Sequence, residues 1–90
     1  MYNTDNRRYV YVTVAFTAEG AMRPINLKWE NGIIYDIEYV REVVPNQVSG
    51  NMWMGDLYRV IIRGQEKNLY FERGACKKWY CPGKWFLIVE

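Results

Sequence analysis

Residues 25–39 read Ile25-Asn-Leu-Lys-Trp-Glu-Asn-Gly-Ile-Ile-Tyr-Asp-Ile-Glu-Tyr39, and this stretch decides the fold. Two alternating runs of apolar and polar residues meet at Glu30-Asn-Gly32. Asn-Gly between such runs is the strongest short-range signal of a β-hairpin. A two-residue loop would place Leu27 opposite Asp36 and mix apolar with acidic side chains on one face. A three-residue loop instead pairs Leu27 with Tyr35 and makes one face wholly apolar.

We predict the three-residue loop, because a slip of one residue moves every side chain to the opposite face of a sheet. The same register pairs Trp29 with Ile33 and Ile25 with Ile37. It requires Gly32 in the left-handed region of backbone space, where it forms a bulge, and glycine adopts a positive φ without steric cost.

The period-two pattern continues along the chain. We predict further strands over Arg8–Phe16, Leu57–Arg63, Asn68–Glu72 and Trp85–Val89, with residues 1–7 as a disordered tail and residues 8–90 as a single domain. In the strand Arg8–Phe16 we expect Val10, Val12, Val14 and Phe16 to face inward. In the strand Leu57–Arg63 we expect Tyr58, Val60 and Ile62 to face inward. The runs are short and no long segment has a period of 3.6, which indicates an all-β protein. We expect an antiparallel SH3-like barrel or strongly bent sheet of about six strands, because closing a sheet removes its edges.

The longest irregular stretch of the sequence is Pro45 to Gly55. Loops of this length are often functional. Two interpretations of Trp53 stay open: it folds back and caps the core, or it belongs to an exposed recognition loop.

Charge and composition limit the kinds of partner and compartment. The net charge is +2, but residues 57–90 carry seven Lys/Arg and three Asp/Glu, which favours a basic C-terminal half. No run reaches the roughly 18 apolar residues of a membrane span. The N-terminus lacks the apolar core of a signal peptide, so we predict a cytoplasmic protein with no membrane partner and with Cys76 and Cys81 reduced.

A set of short motifs resembles a known group. It comprises Arg23-Pro24, Trp29-Glu-Asn-Gly32, Tyr35-x-Ile37, Tyr58-Arg59-Val60, Gly64, Leu69-Tyr-Phe-Glu72 and Trp85-Phe86. In this order it resembles short, uncharacterised all-β proteins of Firmicutes, which would imply a bacterial origin but no function. The chain is more distantly similar to small domains encoded with DNA-damage-response polymerases, which would imply nucleic acid. It departs from the pattern at residues 75–83.

The sequence offers little for catalysis or metal binding. It contains no histidine, so no Ser-His or Cys-His pair and no imidazole base can form. Asp36 and Glu38 lie two residues apart on the polar face of the hairpin, where carboxylates are usually solvated. Cys76 and Cys81 supply only two of the four ligands that a zinc site needs. We therefore predict no enzyme, no cofactor and no metal.

Two groups of residues are candidates for binding. The basic and aromatic candidates for a ligand are Arg59, Arg63, Lys77, Lys78, Trp79, Tyr80 and Lys84, and those for a protein interface are Tyr9, Tyr11 and Trp53. Aromatic residues mark protein interfaces, whereas bases stack on aromatics while cations contact phosphates. Solvated lysines and packed aromatics would explain the first group equally well. We predict a non-catalytic binding module for a protein partner or a homodimer, with a single-stranded nucleic-acid binder as the alternative.

Overall fold

The computed structural model describes residues 6–48, 54–74 and 80–89, and in this part of the chain it shows strands and no α-helix. The strands are β1 (Arg7–Phe16), β2 (Met22–Lys28), β3 (Ile34–Asp36), β4 (Tyr39–Val48), β5 (Met54–Ile62), β6 (Gln65–Arg73) and β7 (Gly83–Ile88). They form one sheet in the order β3-β2-β1-β7-β6-β5-β4, and every neighbouring pair is antiparallel. The predicted all-β class is confirmed. Seven strands replace the six expected, because the second arm of the hairpin divides in two.

The register of the β2–β3 hairpin is the predicted one. Leu27 lies opposite Tyr35, and the Trp29 N–H donates to the Ile33 carbonyl at 2.9 Å. Gly32 has a φ of 87°, as the three-residue loop requires. The apolar face is therefore continuous along both arms, although Ile33 lies at the tip and is exposed.

The two ends of the sheet meet at two consecutive backbone amides. The Ile37 N–H donates to the Ile25 carbonyl of β2, and the next N–H, that of Glu38, donates to the Ile61 carbonyl of β5. Residues 34–48 thus form one bent segment that pairs first with one end of the sheet and then with the other. The sheet has to curl strongly for this, which confirms the expected bent architecture.

The concave face of the curled sheet holds the core. The buried residues of this cluster are Leu27, Ile37, Tyr58, Val60, Ile62, Leu69, Phe71 and Trp85, and Val10, Val12 and Val14 pack against it. The inward positions predicted for β5 are confirmed, since all three are at most 8% exposed. The prediction that Phe16 lies with the valines is wrong: it is 69% exposed at the end of β1, although its β2 partner Met22 packs against the core.

Several predicted boundaries are wrong. Residues 45–48 belong to β4 and residues 54–55 belong to β5. The register shifts after Val44, and Asn46 has a φ of 61°. Pro45 is therefore accommodated in a bulge on an edge strand. Residues 49–53, including Trp53, lie outside the described part of the chain. Arg7 already pairs with Ile88, so the strand reaches into the predicted tail.

Candidate functional site: a groove at one end of the sheet

A groove of about 730 Å³ opens at one end of the curled sheet. Leu27, Ile62 and Leu87 line it from three different strands, and the first two are buried, so they form an apolar floor. Trp29 and Tyr35 line it from the two arms of the β2–β3 hairpin and are half-buried. Its size lies in the range of about 300–1,000 Å³ typical of ligand sites.

The turn between β5 and β6 forms one wall of the groove. It contains two residues, Arg63 at a φ of 52° and Gly64 at 75°, whereas the sequence predicted a longer turn over residues 64–67. The Gly64 N–H donates to Glu38 Oε2 at 3.2 Å. The Arg63 guanidinium carbon lies 4.8 Å from the centre of the Tyr35 ring. These two contacts hold the turn against the segment that leads out of β3.

Three cations and one carboxylate line the groove, and they are not equivalent. Arg59 Nε is buried and lies 2.8 Å from Glu42 Oε1 without the alignment of a hydrogen bond, so this contact is an ion pair. Glu66 binds Arg41 and also approaches Arg59. Arg59 is therefore compensated by two carboxylates.

The other two cations of the groove are Arg63 and Lys67. Neither forms an ion pair within the described residues. The groove thus combines an apolar floor with two rim cations that no carboxylate of the described residues pairs with.

A second aromatic cluster lies on the convex face, and one of its members, Tyr70, also lines the groove. Phe86 is fully buried there: its ring stacks on Tyr70 at 5.2 Å and meets the edge of Tyr9 at 5.6 Å. The Tyr9 hydroxyl donates to Glu72 Oε1 at 2.6 Å, and the Arg7 guanidinium lies 3.6 Å from the same oxygen. Burial and then the hydrogen bond to the carboxylate raise the pKa of Tyr9. This cluster ties β1 to β6 across β7.

The structure separates the residues predicted to bind a ligand. Arg59 and Arg63 line the groove, whereas Tyr80 lies on the β6–β7 connection and Lys84 at the start of β7. Lys84 pairs with Glu72, which is four residues along β6 from Asn68, the partner of Arg59, and seven from Gln65, where the turn with Arg63 ends. At about 3.3 Å per residue these separations along the strand are about 13 Å and about 23 Å. Lys77, Lys78 and Trp79 lie outside the described residues.

The residues predicted for a protein interface lie on the convex face. Tyr9 is 50% exposed and Tyr11 is 81% exposed. Each ring has a lysine near it, Lys84 at 5.3 Å from the Tyr9 centroid and Lys28 at 5.8 Å from that of Tyr11. Trp53, the third residue predicted for this surface, is not among the described residues.

Of the residues that line the groove, sequence reasoning identified only Arg59 and Arg63 as ligand-binding, and those it missed include Trp29, Tyr35, Lys67 and Leu87. The hairpin register placed the two aromatic residues on the apolar face, and they were interpreted as core. Their position close to the hairpin loop could have identified them as groove residues, because side chains near the end of a hairpin extend beyond the core.

The chemical groups outside the groove give no catalytic set. The sequence lacks histidine, and in the described ranges no three Cys, Asp or Glu residues are grouped to hold a metal. Of the two hairpin carboxylates, Asp36 is exposed and Glu38 accepts the Gly64 N–H. Among the described residues, no helix is long and apolar enough to cross a membrane.

Cys81 is disulfide-bonded, so the expectation of a free thiol at this position is wrong. The one other cysteine of the sequence, Cys76, lies outside the described residues. The prediction failed because it inferred the redox state from the predicted compartment and not from the cysteine spacing, which also suits a bridge across a hairpin end.

Comparison of the chain with protein-family models, with curated proteins and with solved structures gave no match. The fold and the groove define a small all-β domain with a partly apolar groove that carries cations at its rim. The resemblance to Firmicutes proteins stays a prediction.

Proposed function

We propose that this protein is a non-catalytic binding module, that its partner is a protein, and that the groove is the contact surface. The observation that supports this most is the combination of an apolar floor with the cations Arg63 and Lys67, neither of which pairs with a carboxylate of the described residues. Apolar floors bind apolar side chains and exclude water, while a few placed polar groups give orientation and specificity. A peptide segment offers both kinds of group.

A protein partner suits the groove better than a nucleic acid does. Binding of single strands depends on open aromatic faces and on many cations along a path. In the groove, Arg63 already covers one face of Tyr35, and the charge of Arg59 is compensated by Glu42 and Glu66. The buried floor offers phosphates no partner.

A peptide-display selection tests the proposal. Random peptides displayed on phage are selected on the wild-type protein, and an enriched peptide is synthesised with a fluorescent label. We expect this peptide to bind the wild type and to lose at least about tenfold in affinity on Lys67→Glu, which inverts the charge at the rim. Arg23→Glu is the matched control, because Arg23 is an exposed strand cation outside the groove. Equal losses on both variants, or no enriched peptide, would overturn the proposal.

The alternative of a single-stranded nucleic-acid binder is supported by one place, the connection before β7. Tyr80 is 60% exposed there. Lys84 follows as the second residue of β7 and is also exposed. A labelled oligonucleotide in the same assay tests it, since such binding weakens steeply with salt. Self-association, the other form of protein partner, would show as a concentration-dependent mass in sedimentation.

Two finer predictions remain proposals. The SH3-like identity of the fold is supported by the curl of the sheet and the strongly bent segment between β3 and β4. The disulfide at Cys81 opposes the cytoplasmic location, because disulfides are rare in reducing compartments.

A further inference from the structure

Lys67 occupies a position of β6 that belongs to the core face of the sheet. It lies opposite Val60 in the antiparallel β5–β6 ladder, and directly opposed residues project from the same face. Val60 is fully buried in the core, whereas Lys67 is exposed and lines the groove. The alternation that buries Leu69 and Phe71 therefore ends in a cation, at the point where the concave face opens into the groove.

The end of β7 forms the wall of the groove beside Lys67. Ile88 and Val89 continue beyond the last pair of the β6–β7 ladder, Leu69–Leu87, and so lie beside the next residues of β6. Leu87 and Val89 project from the same face because side chains alternate along a strand, and both line the groove. A ligand of the groove therefore meets side chains at this wall and not an open strand edge.

The carboxylate of the groove is already engaged by arginines. Glu66 binds Arg41 and approaches Arg59. Arg63 and Lys67 form no ion pair with any carboxylate that the structure describes. A partner that brings its own carboxylates is complementary to these two cations.

We propose that the partner is an acidic segment of another protein, in which one apolar side chain enters the floor of the groove and a neighbouring carboxylate pairs with Lys67. The inference rests on the proposed function and specifies the chemistry of its partner. The floor at Leu27 and Ile62 takes the apolar side chain, and Trp29 lies beside it. Apolar contact then supplies affinity, while the ion pair at the rim supplies orientation and selects against basic segments.

An exchange of charge between protein and peptide tests the ion pair. The probe is the labelled peptide enriched in the display selection, with each Asp or Glu of the peptide replaced in turn by lysine. For one position, we expect the replacement to weaken binding to the wild type by about tenfold and to strengthen binding to Lys67→Glu by about tenfold. A folding defect of the protein variant cannot produce this reversal. If no replacement restores binding to the variant, the ion pair is overturned.

A conservative series at Lys67 tests the same contact from the side of the protein. Lys67→Arg keeps the charge, whereas Lys67→Met keeps the apolar stem and removes the charge. Because the pair is exposed, we expect the methionine variant to bind the selected peptide about twofold to fivefold more weakly and the arginine variant to match the wild type. Urea unfolding should give both variants the wild-type midpoint. Equal affinity of the methionine variant and the wild type would contradict the ion pair.

Alanine substitution along the peptide tests the apolar half of the proposal. We expect one apolar residue, next to the carboxylate that the charge exchange identifies, to lose at least about tenfold in affinity, because burial of a large apolar side chain contributes about 1.5–3 kcal/mol. Small and equal losses at all apolar positions would show that no side chain enters the floor.

Failures of the two proposals are distinguishable. A peptide that loses affinity on Lys67→Glu and keeps it on Arg23→Glu, but gains nothing from a reversed charge, overturns the acidic partner and leaves the proposed function standing. A neutral or basic consensus among peptides with that same pattern of losses does so as well. If no peptide is selected, both proposals fail together.

Discussion

Replacement of Phe86 by alanine tests the cluster on the convex face. Phe86 is 0% exposed although Trp85 and Leu87, its neighbours in β7, face the core on the other side of the sheet. Full burial of a phenylalanine side chain contributes about 1.5–3 kcal/mol, and each of its ring contacts with Tyr9 and Tyr70 adds about 0.5–1.5 kcal/mol.

The expected loss in the free energy of unfolding is about 3 kcal/mol. This lies at the low end of the range of about 3–5 kcal/mol for such substitutions, because water can enter a cavity on the convex face. For a domain of this size it lowers the melting temperature by about 12–24 °C. Urea unfolding followed by tryptophan fluorescence measures the change.

The matched control is Tyr11→Ala on the same face of β1, where the ring is 81% exposed. We expect it to change the free energy of unfolding by no more than about 0.5 kcal/mol. If Phe86→Ala and Tyr11→Ala give equal losses, the convex face holds no second cluster and the reasoning is refuted.

Three further predictions concern the rest of the fold. Gly55→Ala should destabilise by about 1–3 kcal/mol in urea unfolding, since its Cβ would overlap the Phe71 carbonyl, and a wild-type midpoint would contradict this. The raised pKa of Tyr9 means that the unfolded chain ionises first above about pH 10, so stability falls there. Tyr9→Phe should reduce this alkaline slope in melting curves; an unchanged slope opposes it. Alkylation in denaturant should leave Cys81 unmodified until a reductant is added, as mass spectrometry would show.

The hairpin around Gly32 could be predicted because its information is local. Only the three-residue loop puts Leu27 and Tyr35 on one face without acidic neighbours, and the structure has this register. The inward positions of β5 could be predicted for the same reason, since a half-buried strand records its orientation as alternation. Alternation along one strand needs no knowledge of its neighbours.

Long-range pairing decided what the sequence did not reveal. Alternation predicts one buried face for β7, but both Trp85 and Phe86 are buried, because Tyr9 and Tyr70 cover the second from adjacent strands. The extension of β4 past Pro45 depends on its bulged pairing with β5. The sequences of β7 and β4 do not by themselves identify these neighbouring residues and strands.

The candidate site was only partly predictable. Arg59 and Arg63 were identified from their charge, but the sequence joined them to Lys84, which pairs with Glu72 near the end of β6 and does not line the groove. The groove itself depends on where the ladder between β6 and β7 ends, at the pair Leu69–Leu87. That end point follows from the register between the strands, which cannot be counted along the chain.

The most direct test of the proposed contact surface is a nuclear magnetic resonance titration of the labelled protein with the peptide selected on it. We predict that the largest backbone amide shifts fall on residues 63–68 and that the Trp29 indole, which also lines the groove, shifts with them. Shifts centred on Tyr80 and Lys84, with residues 65–68 unchanged, would contradict the account.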